Sequence, residues 1–264
     1  MCLKAPTPTP PMLSASKVSV RDAHVHLFLN EELNVNLLRL ARSLNVERLY
    51  SSIYPFDLGD LNPKPEEVRK GNTRVAEIAE ENREVVGLAF VNPLNPEDLR
   101  EAERLLRSGF RGIGEVYRSV RPRGRIMAPI MELAQSFDVP VLIHVAHRLY
   151  PRDRPREGTP ADVASLARKW PRVKVIMAHI SGGGDWENAL EEVRLIPNVY
   201  LDLGGSVCDS HIVERSVEAL GADRVLFGSD DLLPQALARL EEAQLDQEVK
   251  VRIYRENAIR VFGD

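Results

Sequence analysis

Short apolar runs alternate with amphipathic stretches along most of this chain. The runs are rich in Val, Ile and Leu and are mostly bounded by Pro, Gly, Asn or Asp. Eight can be counted, at Val18–His24, Val46–Ile53, Val85–Val91, Phe110–Glu115, Val139–Val145, Val173–His179, Asn198–Leu203 and Arg224–Ser229. This alternation is typical of repeated βα units around a parallel sheet.

Helical signals lie in the intervals between these runs. Pro96–Arg107 is amphipathic, and Trp186–Ile196 carries its apolar residues on one face. Thr159, Pro160 and Asp162 have the spacing of a capped helix start, with a hydroxyl, a first-turn proline and an acid three residues after the cap. The elements therefore follow one another in the order strand, helix, strand.

The number of units and the length of the chain predict a single-domain (β/α)8 TIM barrel. The chain has 264 residues, and such barrels commonly need about 250. No linker or change of composition interrupts residues 18–264, which we predict to form the barrel. An open doubly wound sheet is the alternative, but it usually has a glycine-rich turn after its first strand. Here that turn contains histidines.

Residues 1–17 are predicted to be a flexible tail. They contain four prolines and no continuous apolar stretch, so they resemble neither a signal peptide nor a membrane anchor. Only two cysteines are present, Cys2 and Cys208, which is too few for a disulfide framework and favours a reducing cytoplasm.

Composition narrows the class of protein further. Apolar residues make up 44% of the chain and charged residues 28%, which is typical of a soluble globular protein. The formal net charge of −4 gives no overall attraction to nucleic acid or to an anionic membrane. No membrane partner is expected, and a homo-oligomer is left open.

Histidines and acids stand at the predicted carboxyl ends of several strands. His24 and His26 are two apart, so in a strand they point to the same side. That spacing suits a metal ion, although alone it more often reflects hydrogen-bonded packing. Further candidate ligands follow later runs, and active sites of barrels form where these strand ends meet. These candidates are Glu115, His144, His179 and Asp230.

Four motifs resemble the amidohydrolase superfamily, including its amidohydrolase-related and TatD-like branches. They are Asp22-Ala23-His24-Val25-His26, Leu142-Ile143-His144, Met177-Ala178-His179 and Gly228-Ser229-Asp230. Similar family segments occur at Asn198–Leu203 and Glu256–Phe262, so the resemblance covers about residues 18–262. It implies a divalent metal, which we expect to be zinc, with one or two ions per chain.

Two site layouts within the superfamily remain open, and Glu115 separates them. In the layout of the decarboxylases and lactone hydrolases, one ion binds to His24, His26, His144 and Asp230, with His179 as acid or base. In the TatD-type deoxyribonuclease layout, Glu115 bridges two ions, and His144 and His179 complete the second site. The superfamily's carboxylated lysine is absent from residues 110–117, where Glu115 stands instead.

Two predicted loops are rich in arginine and favour an anionic small-molecule substrate. Arg118 and Arg148 are the predicted substrate-binding residues. A solvated loop is the alternative, because Asp153 and Glu157 offset part of the second loop. The arginines lie at 118, 121, 123 and 125 in the first loop, and at 148, 152, 154 and 156 in the second.

Four minor features receive plainer interpretations. His147 is expected at the surface, His211 at the start of a helix, and Cys208 in packing. The glycine triplet 182–184 is expected to form a tight turn rather than an anion site.

The sequence therefore predicts a metal-dependent hydrolase. Activated water would attack an ester, lactone or amide, with Asp230 accepting a proton and His179 assisting catalysis or ligating metal. Nonoxidative decarboxylation of an aromatic acid is a close alternative. Phosphodiester or DNA cleavage is less favoured, because Tyr117 and Tyr150 are the only aromatic candidates in these loops for stacking bases. A metal-binding protein without turnover is disfavoured, because a structural site prefers a closed ligand set.

Overall fold

The computed structural model describes residues 18–59, 61–146, 156–181, 186–207 and 209–264. Eight parallel strands pair in sequence order and form a nearly closed barrel. The single-domain (β/α)8 prediction is thus confirmed. The strands are β1 (Val20–Leu27), β2 (Val46–Ile53), β3 (Val85–Ala89), β4 (Gly112–Val116), β5 (Val141–Ile143), β6 (Val175–Met177), β7 (Val199–Asp202) and β8 (Val225–Leu226).

Backbone hydrogen bonds connect the last strand to the first. Ala23 N donates to Phe227 O at 2.8 Å, and the amides of Ser229 and Asp230 both donate to His24 O, at 3.1 and 2.8 Å. These bonds fix the segment after β8 beside β1. They bring the two ends of the barrel sequence to the same place.

Helices surround the strands, and their capping follows the sequence. The α3 helix has the predicted bounds, and Thr159 and Asp162 form the predicted capping box at the start of α5. The α6 helix ends three residues earlier than predicted, and His211 precedes α7 as expected. The helices are α1 (Glu31–Ser43), α2 (Pro65–Glu81), α3 (Pro96–Arg107), α4 (Ala128–Phe137), α5 (Pro160–Lys169), α6 (Trp186–Val193), α7 (Ile212–Leu220), α8 (Leu233–Glu242), α9 (Gln247–Val251) and α10 (Asn257–Phe262).

Several strands differ in length from their apolar runs. The first continues to Leu27, because His26 and Leu27 still pair with residues of β2. Most later runs are longer than their strands, because the flanking apolar residues are buried but lie outside the regular strands. His179 therefore lies in a turn after β6 rather than at the strand's end.

The apolar core has two parts. The larger part lies between the strands and the surrounding helices. The smaller part fills the barrel, with Tyr50, Leu88 and Leu142 among its buried side chains, and α10 closes its amino-terminal end. Phe262 of α10 stacks on Tyr50 with ring centroids 3.7 Å apart. Because this end is filled, the opposite end is left for polar chemistry.

No helix in the described ranges is both long enough and apolar enough to cross a membrane.

Candidate metal centre

The Glu115 carboxylate is the centre of a buried cluster of histidines. Its Oε1 atom lies 3.1 Å from His144 Nδ1 and 3.5 Å from His179 Nε2. Its Oε2 atom lies 3.4 Å from His26 Nε2, and Oε1 is 3.8 Å from His24 Nε2. Strands β1, β4, β5 and β6 thus bring these five predicted residues together.

Asp230 completes the predicted set from the segment after β8. Its Oδ2 atom lies 3.2 Å from His179 Nε2, and its Oδ1 atom lies 3.6 Å from His24 Nε2. The side chain is 25% exposed, whereas Glu115 is 1% exposed. Asp230 is therefore the member of the set that an entering water or substrate can reach most easily.

The turns that carry His179 and Asp230 have unusual backbone angles. His179 and Ile180 have φ of 67° and 48°, and Asp230 and Asp231 have φ of 48° and 66°. Residues other than glycine rarely adopt this left-handed region, and each one that does so costs on the order of 1 kcal/mol of conformational free energy. The hydrogen bond from His179 N to Asp202 Oδ1, at 3.1 Å, helps to hold the first turn. Strain of this kind is common where a site requires a fixed geometry.

Three further carboxylates bind the outer nitrogens of the histidine rings. Asp231 Oδ2 lies 3.0 Å from His26 Nδ1, and Asp202 Oδ2 lies 3.1 Å from His24 Nδ1. Glu157 Oε1 lies 3.0 Å from His144 Nε2. Each ring therefore turns its other nitrogen towards Glu115. Carboxylate partners of this kind fix the orientation and tautomer of metal-binding histidines.

None of these three carboxylates was among the predicted site residues. Asp231 directly follows a predicted ligand, and Asp202 lies in a family-like segment at the end of a strand, so both had a usable signal. In the solvated-loop alternative Glu157 offsets arginine charge at the surface, but the residue is only 5% exposed, so it does not lie in a solvated loop. Pairing of the next residue, Gly158, with Val145 brings it against β5.

The charges in the cluster depend strongly on one another. Burial raises the pKa of Glu115, but the surrounding rings, His144 foremost, outweigh it and hold this pKa well below the ordinary value. Burial likewise raises the pKa of Asp230, and His179 then brings it below the ordinary value. For each ring, burial lowers the pKa, and carboxylates raise it by more: chiefly Asp202 for His24, Asp231 for His26, Glu115 for His144 and Asp230 for His179. Positive charge is thus strongly favoured between these groups.

The cluster fits a divalent cation. The Nε2 atoms of His24 and His26 are buried and make no hydrogen bond with any described residue. Each of two groups of three has its ligand atoms within 4.8 Å of one another, and both include Glu115. Imidazole nitrogens with carboxylate oxygens suit zinc and neighbouring transition metals. The groups are His24, His26 and Glu115, and Glu115, His144 and His179.

A cavity of about 590 Å³ opens above the cluster. One wall is aromatic: Tyr54 lies 5.4 Å from Phe56, and Phe56 lies 5.7 Å from Tyr117, measured between ring centroids. Gly205, Ser206, Val207 and Leu232 are also part of the lining. The volume suits a small molecule. The two arginine-rich loops alone offer few aromatic residues. Tyr54 and Phe56 lie outside those loops and add two aromatic side chains to the site.

The arginines of the first loop lie in three different environments. Arg118 lies 3.9 Å from Glu157, above the Tyr117 ring. Arg121 binds Asp162 at 2.7 Å and thus holds the start of α5, which makes it structural rather than a ligand for substrate. Arg123 and Arg125 are exposed. The predicted Arg148 lies outside the described residues, as do Arg152, Arg154, Tyr150, His147, Cys208 and residues 182–184.

The sequence matches the family model described as Amidohydrolase over residues 22–263. The chain belongs to the amidohydrolase family. The matched range includes every residue of the candidate metal centre, which we call the metal cluster: His24, His26, Glu115, His144, His179 and Asp230. The superfamily resemblance predicted from the motifs is confirmed. No curated protein sequence matches this amidohydrolase.

Solved structures share the fold of this amidohydrolase. A 2,6-dihydroxybenzoate decarboxylase from Rhizobium superposes with a TM-score of 0.71 and 16% identity, over 92% of this chain and 99% of the other. A dihydroxybenzoic acid decarboxylase from Polaromonas gives 0.69 and 17%, over 93% and 97%. A 4-oxalomesaconate hydratase from Rhodopseudomonas palustris gives 0.69 and 18%, over 92% and 95%. At such low identity these similarities establish the shared fold but not the reaction, which has to be inferred from the site.

Proposed function

We propose that this amidohydrolase is a metal-dependent hydrolase whose two divalent ions share the Glu115 carboxylate. The observation that supports this proposal most directly is the position of Glu115. It belongs to both groups of three, with Oε2 nearest His26 and Oε1 near His144, His179 and, at 3.8 Å, His24. A carboxylate between two ligand groups suits a bridging role.

The protein's own groups supply a base beside this centre. A divalent cation, when bound, lowers the pKa of a coordinated water from about 15.7 towards roughly 7 and polarises an acyl oxygen. Asp230 is ionised at neutral pH because its neighbours hold its pKa low, so its carboxylate can accept a proton from an attacking water. His179 Nε2 lies 3.2 Å from Asp230 Oδ2, so either an ion bound to this nitrogen or a hydrogen carried by it would keep that carboxylate in place. His179 serves as a ligand in the two-ion arrangement and as acid or base in a one-ion arrangement.

The substrate we propose is a small anionic ester, lactone or amide. Four acids line the cavity, so an anion would be repelled until cations neutralise them. Arg118 is placed to assist, since its guanidinium donates to the hydroxyl group of Tyr117, which lines the cavity. The four acids are Glu115, Glu157, Asp230 and Asp231.

Metal counting joined to a substrate panel tests the proposal. Chelator-treated protein is loaded separately with Zn²⁺, our predicted ion, and with Mn²⁺, which is bound in the Polaromonas decarboxylase structure. Elemental analysis should give two ions per chain, and loaded protein should hydrolyse carboxylated lactones or esters faster than neutral ones. A chelator-resistant hydrolysis, or no hydrolysis of any acyl substrate by loaded protein, would overturn the proposal.

Nonoxidative decarboxylation of an aromatic acid is the second candidate. The aromatic wall formed by Tyr54, Phe56 and Tyr117 favours it, because a planar ring can pack against such a wall. It also gains support from the fold-level likeness to decarboxylases of dihydroxybenzoates. Release of CO₂ from hydroxybenzoates, with one tightly bound ion per chain, would favour this reaction over hydrolysis. A phosphodiester in the same panel tests the nuclease alternative.

A further inference from the structure

The His144 ring lies between two carboxylates, and the metal cluster accounts for only one of them. Its Nδ1 atom faces Glu115 Oε1 at 3.1 Å, and its Nε2 atom faces Glu157 Oε1 at 3.0 Å. Glu157 belongs to neither of the ligand groups that contain Glu115. It therefore contacts the centre through His144.

The backbone next to Glu157 is held firmly against β5. Gly158 forms a parallel bridge with Val145, and Ala146 N donates to Gly158 O at 3.3 Å. A β-carbon on Gly158 would come within 2.7 Å of His144 O, so this close approach requires glycine. The Glu157 side chain is 4% exposed, and Arg118, 3.9 Å away, offsets its charge. The carboxylate is thus a fixed part of the site.

The contact decides which nitrogen of His144 carries hydrogen. An ionised carboxylate only accepts hydrogen bonds, so the His144 nitrogen facing Glu157 must be the donor. In a neutral ring the lone pair then lies on Nδ1 and points at Glu115, where an ion needs it. Asp231 does the same for His26, with the nitrogens exchanged: it binds Nδ1 and leaves Nε2 facing Glu115.

We propose that Glu157 is a positioning residue that selects the metal-binding tautomer of His144 and thereby sets the affinity of the ion held by Glu115, His144 and His179. This inference rests on the proposed two-ion function. Glu157 acts on this ion, whereas Asp231 acts on the ion held by His24, His26 and Glu115. The two carboxylates would therefore tune the two ion positions separately.

Titration of chelator-treated protein with Co²⁺, followed by its visible absorption and by calorimetry, tests the inference. Glu157→Ala should weaken one of two binding steps by about 10–100-fold. Glu157→Gln should weaken it less, because its amide oxygen can still accept from Nε2. Asp231→Ala should weaken the other step, and Asp98→Asn, which alters a buried carboxylate in the first turn of α3, should leave both unchanged.

A second measurement separates positioning from a merely structural role. In ¹⁵N-histidine spectra of the loaded protein, His144 should carry its hydrogen on Nε2, and Glu157→Ala should change this pattern. Glu157→Leu, which also removes the acceptor but fills the buried space, serves as the test variant if the alanine variant does not fold. The ion count of the wild type tests the two-ion proposal. The affinity ratio between variant and wild type tests this inference, and a ratio near one overturns it at either ion count.

Discussion

Two clusters of wholly or partly buried charged groups lie at opposite ends of the barrel, and they differ in how completely their charges are matched. At the amino-terminal end, Arg21 binds Glu47 at 2.5 Å and Asp264 at 2.9 Å. Arg255 also reaches Glu47, and Tyr50 donates to Asp264. Each cation there faces a carboxylate. At the other end, acids and imidazoles crowd together, and the Nε2 atoms of His24 and His26 make no hydrogen bond with any described residue.

The difference shows which feature marks a functional site. Burial and charge are common to both clusters, so neither identifies chemistry by itself. The amino-terminal cluster is complete as it stands and joins β1 and β2 to the end of α10. The metal cluster is complete only when a cation is added, because burial of unmatched charges is costly. Unmatched ligand atoms distinguish the two ends.

The largest expected effect comes from removing the central charge of the metal cluster. Glu115→Gln keeps the shape of the side chain but removes the charge that four rings face. We expect loss of at least one ion per chain and a fall in kcat on the order of 10³-fold, since metal catalysis supplies several kcal/mol. Elemental analysis and steady-state kinetics measure both. Unchanged ion content and rate would mean that this cluster, like the one at the amino-terminal end, does not require an ion.

Crowding the ligands without changing their charge should have a smaller effect. A methyl group at Gly228 would lie 2.8 Å from the β-carbon of Asp202 and 3.2 Å from that of His24. Gly228→Ala should therefore shift the supported His24 ring and weaken ion binding by roughly 10–100-fold. Gly221→Ala is the control, since its methyl group meets nothing within 4 Å and only its φ of 82° is unfavourable. Equal ion affinities in the two variants would contradict the prediction.

Breaking the amino-terminal cluster should reduce stability without affecting the ions. Arg21→Met leaves Glu47 and Asp264 without their buried partner, and we expect the free energy of unfolding to fall by roughly 2 kcal/mol. Urea unfolding of metal-free protein measures this change. Arg255→Met removes a more exposed contact to the same Glu47 and should cost less than about 1 kcal/mol. A changed ion count in Arg21→Met would show that the ends are coupled.

The smallest effect is expected at an exposed helix cap. Asn30 Oδ1 accepts from Glu32 N at 2.9 Å at the start of α1. Asn30→Ala should lower the free energy of unfolding by about 1 kcal/mol and leave ion binding unchanged. Thermal and urea unfolding measure it, with Asn30→Ser as the variant that keeps a capping oxygen. Loss of an ion in Asn30→Ala would mean that the metal cluster senses minor changes far from its ligands.

The sequence predicted the barrel and the gathering of its candidate ligands because both follow from local rules. Strand periodicity places His24 and His26 on one side, and the topology of a parallel barrel gathers residues such as His144 at one end. The supporting carboxylates depend on long-range contacts that no local pattern contains. Glu157 is the clearest case, because its position follows from the bridge between Gly158 and Val145. Arg121 and Arg118 likewise belong to one arginine-rich loop. Their different roles depend on tertiary contacts, which the local sequence does not reveal.

The hydrogen bonds from the amides of Ser229 and Asp230 to His24 O have a consequence for assembly. Ligands from the first strand and from the segment after the last strand meet only when the ring closes. A growing chain on the ribosome therefore cannot complete its centre until Asp230 has emerged. An ion that binds only the closed barrel, and is present at 100 times its dissociation constant, would stabilise the closed state by about 2.7 kcal/mol. Metal supply and barrel closure are thus thermodynamically linked.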